Sequence, residues 1–334
     1  MRALSLKQRT EETAGEKSSP ARLVLLDELR GGALLAMILF HFTWDLDYFG
    51  LAPPGLTASP QFKWLGDAIA ATFLLVVGAS LALAARGGWR ARPFWMRLAK
   101  IAGAAALVSL ATWFVFPDEF IFFGVLHCIA LSSLAAAPLL RAPVSLVLAV
   151  AAIALALPLL VASPMFDAPI WWWLGLGTHQ PLSNDWRPFL PWFGVVLLGM
   201  AIARGALARA LPERLARLRA RSLAGRALVL GGRRSLLVYL VHQPLLFGAL
   251  YLGVAAIGLK PPSEAAAFAR NCAAQCTAQG ARAGYCGKVC GCVAARAQPS
   301  SLWRHVLENR LSVSQRVRFN AMAKECIQKF RHVN

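Results

Sequence analysis

Seven apolar runs, most of them about twenty residues long, constrain the fold of this chain more than any other feature. They cover approximately residues 25–43, 66–86, 99–116, 121–140, 144–163, 188–205 and 235–258. Roughly twenty helical residues cross the hydrocarbon core of a bilayer, and a helix satisfies its own backbone hydrogen bonds there. The sequence therefore predicts an all-α integral membrane protein, a bundle of about seven transmembrane helices.

The distribution of charge predicts the orientation of this bundle. The chain is 57% hydrophobic and only 15% charged, yet its net charge is +19. The basic residues concentrate in the N-terminal segment and in the connections 86–100 and 204–234, whereas the intervening connections carry more acidic residues. Cytoplasmic loops of membrane proteins carry the excess of Lys and Arg. We therefore expect a cytoplasmic N-terminus, and the charge excess does not call for a nucleic-acid partner.

Three segments of different composition follow one another along the chain. Residues 1–22 are polar and are predicted to be cytoplasmic, 23–258 form the transmembrane domain, and 259–334 have the composition of a soluble tail. Seven crossings place this tail outside the cytoplasm. The composition, rich in Arg and Ala, indicates a bacterial source and hence an inner membrane.

The tail holds six of the seven cysteines: Cys272, Cys276, Cys286, Cys290, Cys292 and Cys326. The first two have helical i, i+4 spacing, the next two have the same spacing, and nine residues with two glycines separate these pairs. Two short helices in a hairpin would allow bridges from Cys272 to Cys290 and from Cys276 to Cys286. The last two cysteines complete an even number, which favours disulfides outside the cytoplasm. A metal site and free thiols remain alternatives, although the usual two-residue spacing of zinc ligands is missing.

The stretch 26–46, LDELRGGALLAMILFHFTWDL, carries the most informative ionisable residues. Arg30 and His41 are eleven positions apart, so on a helix they lie within about 20° of one face and roughly 16 Å apart along the axis. Asp27 lies near the same face. Ionisable groups at membrane depth are expensive and mark functional sites by default.

His41 lies beside Trp44 and Asp45 at the end of this stretch. A carboxylate one turn away can orient an imidazole and stabilise its protonated form, as a general base requires. The alternative is an interfacial histidine among interfacial aromatic residues.

Two more apolar runs contain histidine. His127 falls near the start of the fourth run, on the same predicted side as His41. His242 and Gln243 precede Pro244 inside the last run, and polar groups beside a membrane proline commonly line a cavity. The connection 164–187 adds Asp185 and Trp186, which could contact a sugar acceptor; the alternative is that its tryptophans form an aromatic girdle at the membrane interface.

Basic residues precede the third and seventh runs on the predicted cytoplasmic side. Arg97 and Lys100 precede the third run, and Arg234 precedes the seventh. Most such charges set topology, but a basic cytoplasmic mouth can also hold the phosphates of an acyl carrier such as coenzyme A. No phosphate-binding glycine loop accompanies them.

Five blocks in order resemble the bacterial members of the heparan-α-glucosaminide N-acetyltransferase catalytic-domain family, over about residues 22–258. They are LDELRGGALLAMILFHFTWDL, FLLVVGASLAL, FGVLHCIAL, SNDWRPFLPWFGVVLLG and GRRSLLVYLVHQPLL. The first block also resembles that of membrane O-acyltransferases that modify surface polysaccharides. The resemblance implies transfer of an acetyl or other acyl group from cytoplasmic acyl-CoA to an amine or hydroxyl of a sugar outside the cytoplasm. The lysosomal relatives associate catalysis with a polar residue at the position of His41 and a histidine in the following loop, but the loop 44–65 here has no histidine.

These observations together give one hypothesis with two rivals. As an acyltransferase, the chain would use His41, Asp45 and His127 for catalysis. Acyl-CoA would be bound by Arg30, Arg97, Lys100 and Arg234, and no metal is expected. The acceptor cavity would be lined by Asp27, Trp44, Asp185, Trp186, His242 and Gln243. The rivals are a transporter or flippase that uses the same polar stripe, and an assembly or sensing protein whose tail binds a partner.

Overall fold

In the computed structural model of the protein, helices are the only regular secondary structure over the residues it describes. These are residues 24–53, 55–57, 59–117, 119–209, 222–259, 262–307 and 311–331. The predicted cytoplasmic segment 1–22 and residues 210–221 of the basic connection lie outside this part of the chain. The prediction of an all-α membrane protein is confirmed.

All seven apolar runs form helices, and in the described part of the connection between the last two runs there is one further helix. The helices are α1 (Val24–Tyr48), α2 (Pro60–Ala85), α3 (Ala91–Val115), α4 (Val125–Ala136), α5 (Val144–Leu160), α6 (Phe189–Ala208), α7 (Leu223–Arg233) and α8 (Ser235–Ala256). By length and composition, α2, α3, α6 and α8 are able to cross a membrane. The helices α4 and α5 are apolar but shorter, and α1 is long but carries several charges, so the number of crossings stays a prediction.

The fourth helix is shorter than the apolar run 121–140 predicts. It begins at Val125, because the preceding loop folds back along α3 instead of continuing the helix. The hydroxyl of Thr112 accepts a hydrogen bond from the backbone N–H of Ile121 at 3.0 Å, and the hydroxyl of Ser109 donates to the carbonyl of Ile121 at 2.5 Å. The helix ends at Ala136, and a short 3₁₀ turn, Pro138–Arg141, follows.

Glycines allow two helix pairs to pack in close backbone contact. A Cβ at Gly78 of α2 would lie 1.8 Å from the carbonyl oxygen of Val196 in α6, and one at Gly199 of α6 would lie 2.1 Å from that of Leu75. Helix association in membranes depends on such small residues, since lipid provides no hydrophobic driving force between helices. The largest core cluster surrounds this contact and includes the fully buried Cys128.

The same arrangement joins α1 to α7, the helix that the sequence analysis did not predict. A Cβ at Gly31 would lie 2.1 Å from the carbonyl oxygen of Leu228, and one at Gly232 would lie 1.9 Å from that of Asp27. Ser222 begins α7 as its N-cap and accepts a hydrogen bond from Gly225 at 3.0 Å. This helix was missed in the sequence analysis because the arginines of the basic connection were interpreted only as a signal of membrane topology.

The tail forms a small disulfide-bonded helical unit. Its helices are α9 (Glu264–Ala278), α10 (Ala283–Ala297), α11 (Trp303–Leu307) and α12 (Val313–Phe330). The expectation that its cysteines form disulfides, rather than a metal site or free thiols, is confirmed for all six of them.

The connectivity of these disulfides follows the hairpin of helices. One bridge joins Cys272 to Cys290, and a second joins Cys276 to Cys286, so both link α9 to α10. These are the two bridges that the i, i+4 spacing allows. The third bridge, from Cys292 to Cys326, joins α10 to α12. The spacing of the cysteines does not predict this last bridge; Cys292 and Cys326 are expected to form a disulfide only because they complete an even number of cysteines.

We expect Gly199→Ala to destabilise the protein by about 1–3 kcal/mol, because the added methyl group cannot fit against Leu75 without separating two helices. Gly103→Ala is the matched control, since a Cβ at Gly103 meets no atom within 4 Å. Thermal unfolding in detergent measures both variants. An unchanged Tm for Gly199→Ala would contradict the close packing of α2 and α6.

Candidate active site

A cavity of about 760 Å³ lies among α1, α2, α3, α4, α7 and α8. Its volume falls within the range of small-molecule and cofactor sites. Five cationic side chains line it: Arg30, Arg92, Arg97, Lys100 and Arg233. No carboxylate lines it among the described residues, so its electrostatic field favours an anionic ligand.

Two of these arginines are fixed by a buried carboxylate. Asp27 is only 1% exposed. One oxygen of Asp27 accepts from Nη1 of Arg30 at 3.1 Å, and the other accepts from Nε of Arg233 at 3.4 Å. Arg30 also donates to the hydroxyl of Ser80. Asp27 therefore orients one arginine of α1 and one of α7 at the wall of the cavity.

The structure brings three of the four predicted carrier-binding residues together. Arg30, Arg97 and Lys100 line the cavity, whereas Arg234 does not, and its neighbour Arg233 takes that place. Successive helical residues point about 100° apart. Only the direction in which α7 packs against α1 decides which of the two arginines faces the cavity.

Apolar side chains form the remaining walls. They are contributed by α2, α3, α4 and α8, and they include Phe73, Val77, Met96, Ile101, Val125, Leu126, Ile129 and Leu236. Tyr239 of α8 lines the cavity as well. The cavity thus combines a cationic wall with an apolar one, as a ligand with a phosphate head and a less polar arm requires.

Tyr239 connects the cavity to a pair of histidines. Nδ1 of His242 donates to the backbone carbonyl of Tyr239 at 2.7 Å. The neutral ring then carries its lone pair on Nε2, which is buried without a hydrogen-bond partner among the described residues. The ring of His41 lies beside it, with 5.1 Å between the ring centroids. His242 is therefore held in the tautomer that accepts a proton at Nε2.

Asp45 of α1 contacts α8, the helix that carries His242. It is fully buried, and Oδ1 accepts from Nε2 of Gln243 at 2.7 Å. The second oxygen of Asp45 and the amide oxygen of Gln243 have no partner in the described part of the chain. With Nε2 of His242, these atoms are three buried acceptors on two packed helices. Buried polar atoms without partners are rare in native proteins.

His127 belongs to a different group of contacts from His41. Its Nδ1 accepts from the backbone N–H of Gly124 at 3.2 Å, and its Nε2 lies 3.2 Å from the hydroxyl of Ser109. These contacts occupy both ring nitrogens and fix the start of α4. The geometry therefore makes His242, rather than His127, the histidine beside His41.

Three other predicted site residues contact neighbouring protein groups. Asp185 accepts from the backbone N–H of Val125 at 2.8 Å, at the start of α4. The indole N–H of Trp186 donates to a backbone carbonyl, and Trp44 stacks on Tyr48. Asp185 and Trp186 thus support the loop between α5 and α6, and their contact with an acceptor stays a prediction.

Arg187 is a residue that the sequence analysis did not assign to the site. Its guanidinium lies 3.0 Å from Asp67 and 3.8 Å from Asp185, and 5.3 Å from the ring centroid of Trp192. It therefore links α2 to the loop before α6. Its place within the block SNDWRPFLPWFG was the one signal that could have drawn attention to it.

The chain matches the model of a known family. The family model described as "Heparan-alpha-glucosaminide N-acetyltransferase, catalytic" matches residues 22–244, about two thirds of the chain. This range includes the cationic cavity, the histidine pair and the Asp45–Gln243 contact, and it stops before the tail. No curated protein and no solved structure matches the chain.

We expect Gln243→Leu to lower the free energy of unfolding by about 1–3 kcal/mol, because it leaves the buried carboxyl of Asp45 without its donor. A double variant that combines Asp45→Leu with Gln243→Leu should lose less stability than the sum of the two single variants. Chemical denaturation of the detergent-solubilised protein measures the coupling. Strict additivity would show that the two side chains do not interact.

Proposed function

We propose a function on the basis of the family to which the chain belongs, the heparan-alpha-glucosaminide N-acetyltransferase catalytic family. This is a family of membrane acetyltransferases. The proposed reaction moves an acetyl or other acyl group from acyl-CoA, bound at the cationic cavity, to the amine of a sugar on the far side of the bilayer. The main support for the proposal is the cavity itself. The backbone carbonyl of Tyr239, which lines the cavity, accepts the hydrogen bond that orients His242.

The cavity suits the donor at both of its walls. Arg92, Arg97, Lys100 and their neighbours would bind the phosphates of coenzyme A, since guanidinium and ammonium groups form strong charge-assisted hydrogen bonds with phosphate. The apolar wall would accommodate the less polar arm and direct the thioester toward Tyr239. The carrier would thus approach the histidine pair from the cationic side.

The histidine pair supplies the acid–base chemistry of the proposed transfer. The acceptor nitrogen attacks the thioester carbonyl, the C–N bond forms and the C–S bond breaks. His242 has its Nε2 lone pair available to accept the proton that the nitrogen loses, and His41 lies beside it to share that proton. The proton then neutralises the departing thiolate of coenzyme A.

The three buried acceptor atoms favour an amine over a hydroxyl as the acceptor. Asp45, His242 and Gln243 each present an acceptor without a donor among the described residues. A hydroxyl offers one donor, whereas an amine offers two and its protonated form three. An amino sugar would therefore satisfy more of these buried atoms.

The orientation of the reaction follows from charge and redox chemistry. The basic connections and the cationic cavity suit a cytoplasmic donor side. The three disulfides suit a tail in an oxidising compartment, which in a bacterium is the periplasm outside the inner membrane. The glycan acceptor would then be reached from the periplasmic side.

We expect His41→Ala and His242→Ala each to lower kcat by about 10²–10⁴-fold, the usual contribution of a general acid or base. The assay adds acetyl-CoA and glucosamine to the purified protein and measures released CoA, with acetyl-CoA binding measured separately. His179→Ala is the control, because this histidine lies on an exposed loop. Full CoA release by both site variants would remove the histidine pair from the mechanism.

This assay also separates the enzyme from a transporter. A transporter or flippase performs no covalent step, so it would bind a substrate without producing free CoA. Binding of acetyl-CoA with no CoA release by the wild-type protein, under any acceptor tested, would favour the transporter.

We expect Arg97→Gln and Lys100→Gln each to weaken acetyl-CoA binding by about 10- to 150-fold, because each removes a charge-assisted contact worth roughly 1.5–3 kcal/mol. Arg90→Gln is the matched control: Arg90 is an exposed arginine that precedes α3 and does not line the cavity. Calorimetric titration measures the Kd of each variant. Equal losses in all three variants would indicate a general effect of surface charge.

A further inference from the structure

The disulfide-bonded tail contacts the membrane domain at the end of the helix that carries His41 and Asp45. Nη2 of Arg270, in α9, donates to the backbone carbonyl of Asp47 at 3.0 Å and lies 3.3 Å from its carboxylate. Asp47 is the penultimate residue of α1, two positions after Asp45. One arginine of the tail therefore binds both the backbone and the side chain at the end of α1.

The position of Arg270 allows it to stabilise the C-terminal end of α1. The last four carbonyls of a helix have no intrahelical donor; that of Asp47 accepts from the backbone N–H of Gly50 at 2.9 Å as well as from Arg270, and a cation near these carbonyls interacts favourably with the helix dipole. The side chains of Asp47 and Arg270 are 12% and 22% exposed, so solvent weakens the ion pair less than it weakens a surface pair. Thr57 also donates to Asp47 and joins the following loop to the same point.

A second set of contacts holds the loop after α1 against the tail. The side-chain oxygen of Asn271 accepts from the backbone N–H of Gly55 at 3.1 Å. Gly50 and Gly55 have positive φ angles of 76° and 79°. A Cβ at Gly55 would lie 3.1 Å from Cβ of Ala274. Glycine here allows the loop to approach α9 closely.

The disulfides fix the helix that makes these contacts. Arg270 and Asn271 immediately precede Cys272, whose bridge to Cys290 joins α9 to α10. The bridge from Cys276 joins the same two helices one turn further along α9. A free helix of 15 residues is marginal in water. The apolar core of the tail is small, so its order depends on covalent links.

We propose that the oxidised tail clamps the end of α1, and that Arg270 is a positioning residue for the reaction at His41 and Asp45. This inference rests on the proposed acyl transfer. The clamp would fix the final turns of α1 against α8, where His242 and Gln243 lie. Formation of the disulfides would then be a requirement for full activity, so the tail acts as part of the catalytic unit.

The test compares Arg270→Gln with Arg282→Gln in the full-length protein. Arg282 is an exposed arginine of the same tail, at the start of α10. We expect Arg270→Gln to lower kcat for CoA release, with glucosamine as the acceptor, by about tenfold to a hundredfold, because small misplacements of reacting groups slow a reaction by this much. The KM for acetyl-CoA should stay within about twofold, because the cationic cavity is not part of the clamp. Arg282→Gln should change neither constant, and Arg270→Lys, which keeps the charge and a donor nitrogen, should recover part of kcat.

Hydrogen exchange of the segment 49–57 gives a readout that does not depend on activity. We expect faster exchange there in Arg270→Gln and in a double variant that combines Cys272→Ser with Cys290→Ser, while α2 and α6 stay unchanged. Exchange and kcat that both equal wild type in these two variants would overturn the clamp. If wild type releases no CoA while the exchange difference is present, the proposed function fails and the clamp stands.

Discussion

The buried carboxylates of α1 are the interactions on which the rest of the site depends. Asp27, near the start of the helix, pairs with Arg30 and Arg233 and so joins α1 to α7. Asp45, near its end, accepts from Gln243 and joins α1 to α8. A carboxylate in a membrane domain is costly unless it is paired, so each contact disfavours other positions of these helices. The cavity and the histidine pair lie between the two contacts.

Close packing at glycines and pairing of polar groups hold different pairs of helices together. At the Gly78–Gly199 and Gly31–Gly232 contacts, backbone meets backbone, so α2 with α6 and α1 with α7 form rigid pairs. Polar contacts then set how α8 lies against α1. Helices α1 and α8 hold the rings of His41 and His242 with 5.1 Å between their centroids, so the proposed proton transfer would need no reordering of these helices.

The tail adds a second kind of constraint to a domain of known family. The family match ends at residue 244, whereas the disulfide-bonded helices begin at Glu264. Nevertheless Arg270 and Asn271 contact the end of α1 and the loop that follows it. A covalently stapled unit loses little conformational entropy when it docks, so a few polar contacts are enough to hold it in place.

The sequence by itself determined the helical class and the approximate positions of seven helices, because these follow from local periodicity, and the spacing of the Cys-x₃-Cys pairs allowed the two bridges between them. It also assigned Arg30, Arg97 and Lys100 to one carrier-binding set, together with Arg234. Only the tertiary structure decided that His242 rather than His127 lies beside His41, that Arg233 rather than Arg234 lines the cavity, and that α7 exists as a helix against Asp27. Local spacing states which residues share a face of one helix. It does not state which faces of distant helices meet, because that depends on glycine contacts and buried polar pairs between segments about 200 residues apart.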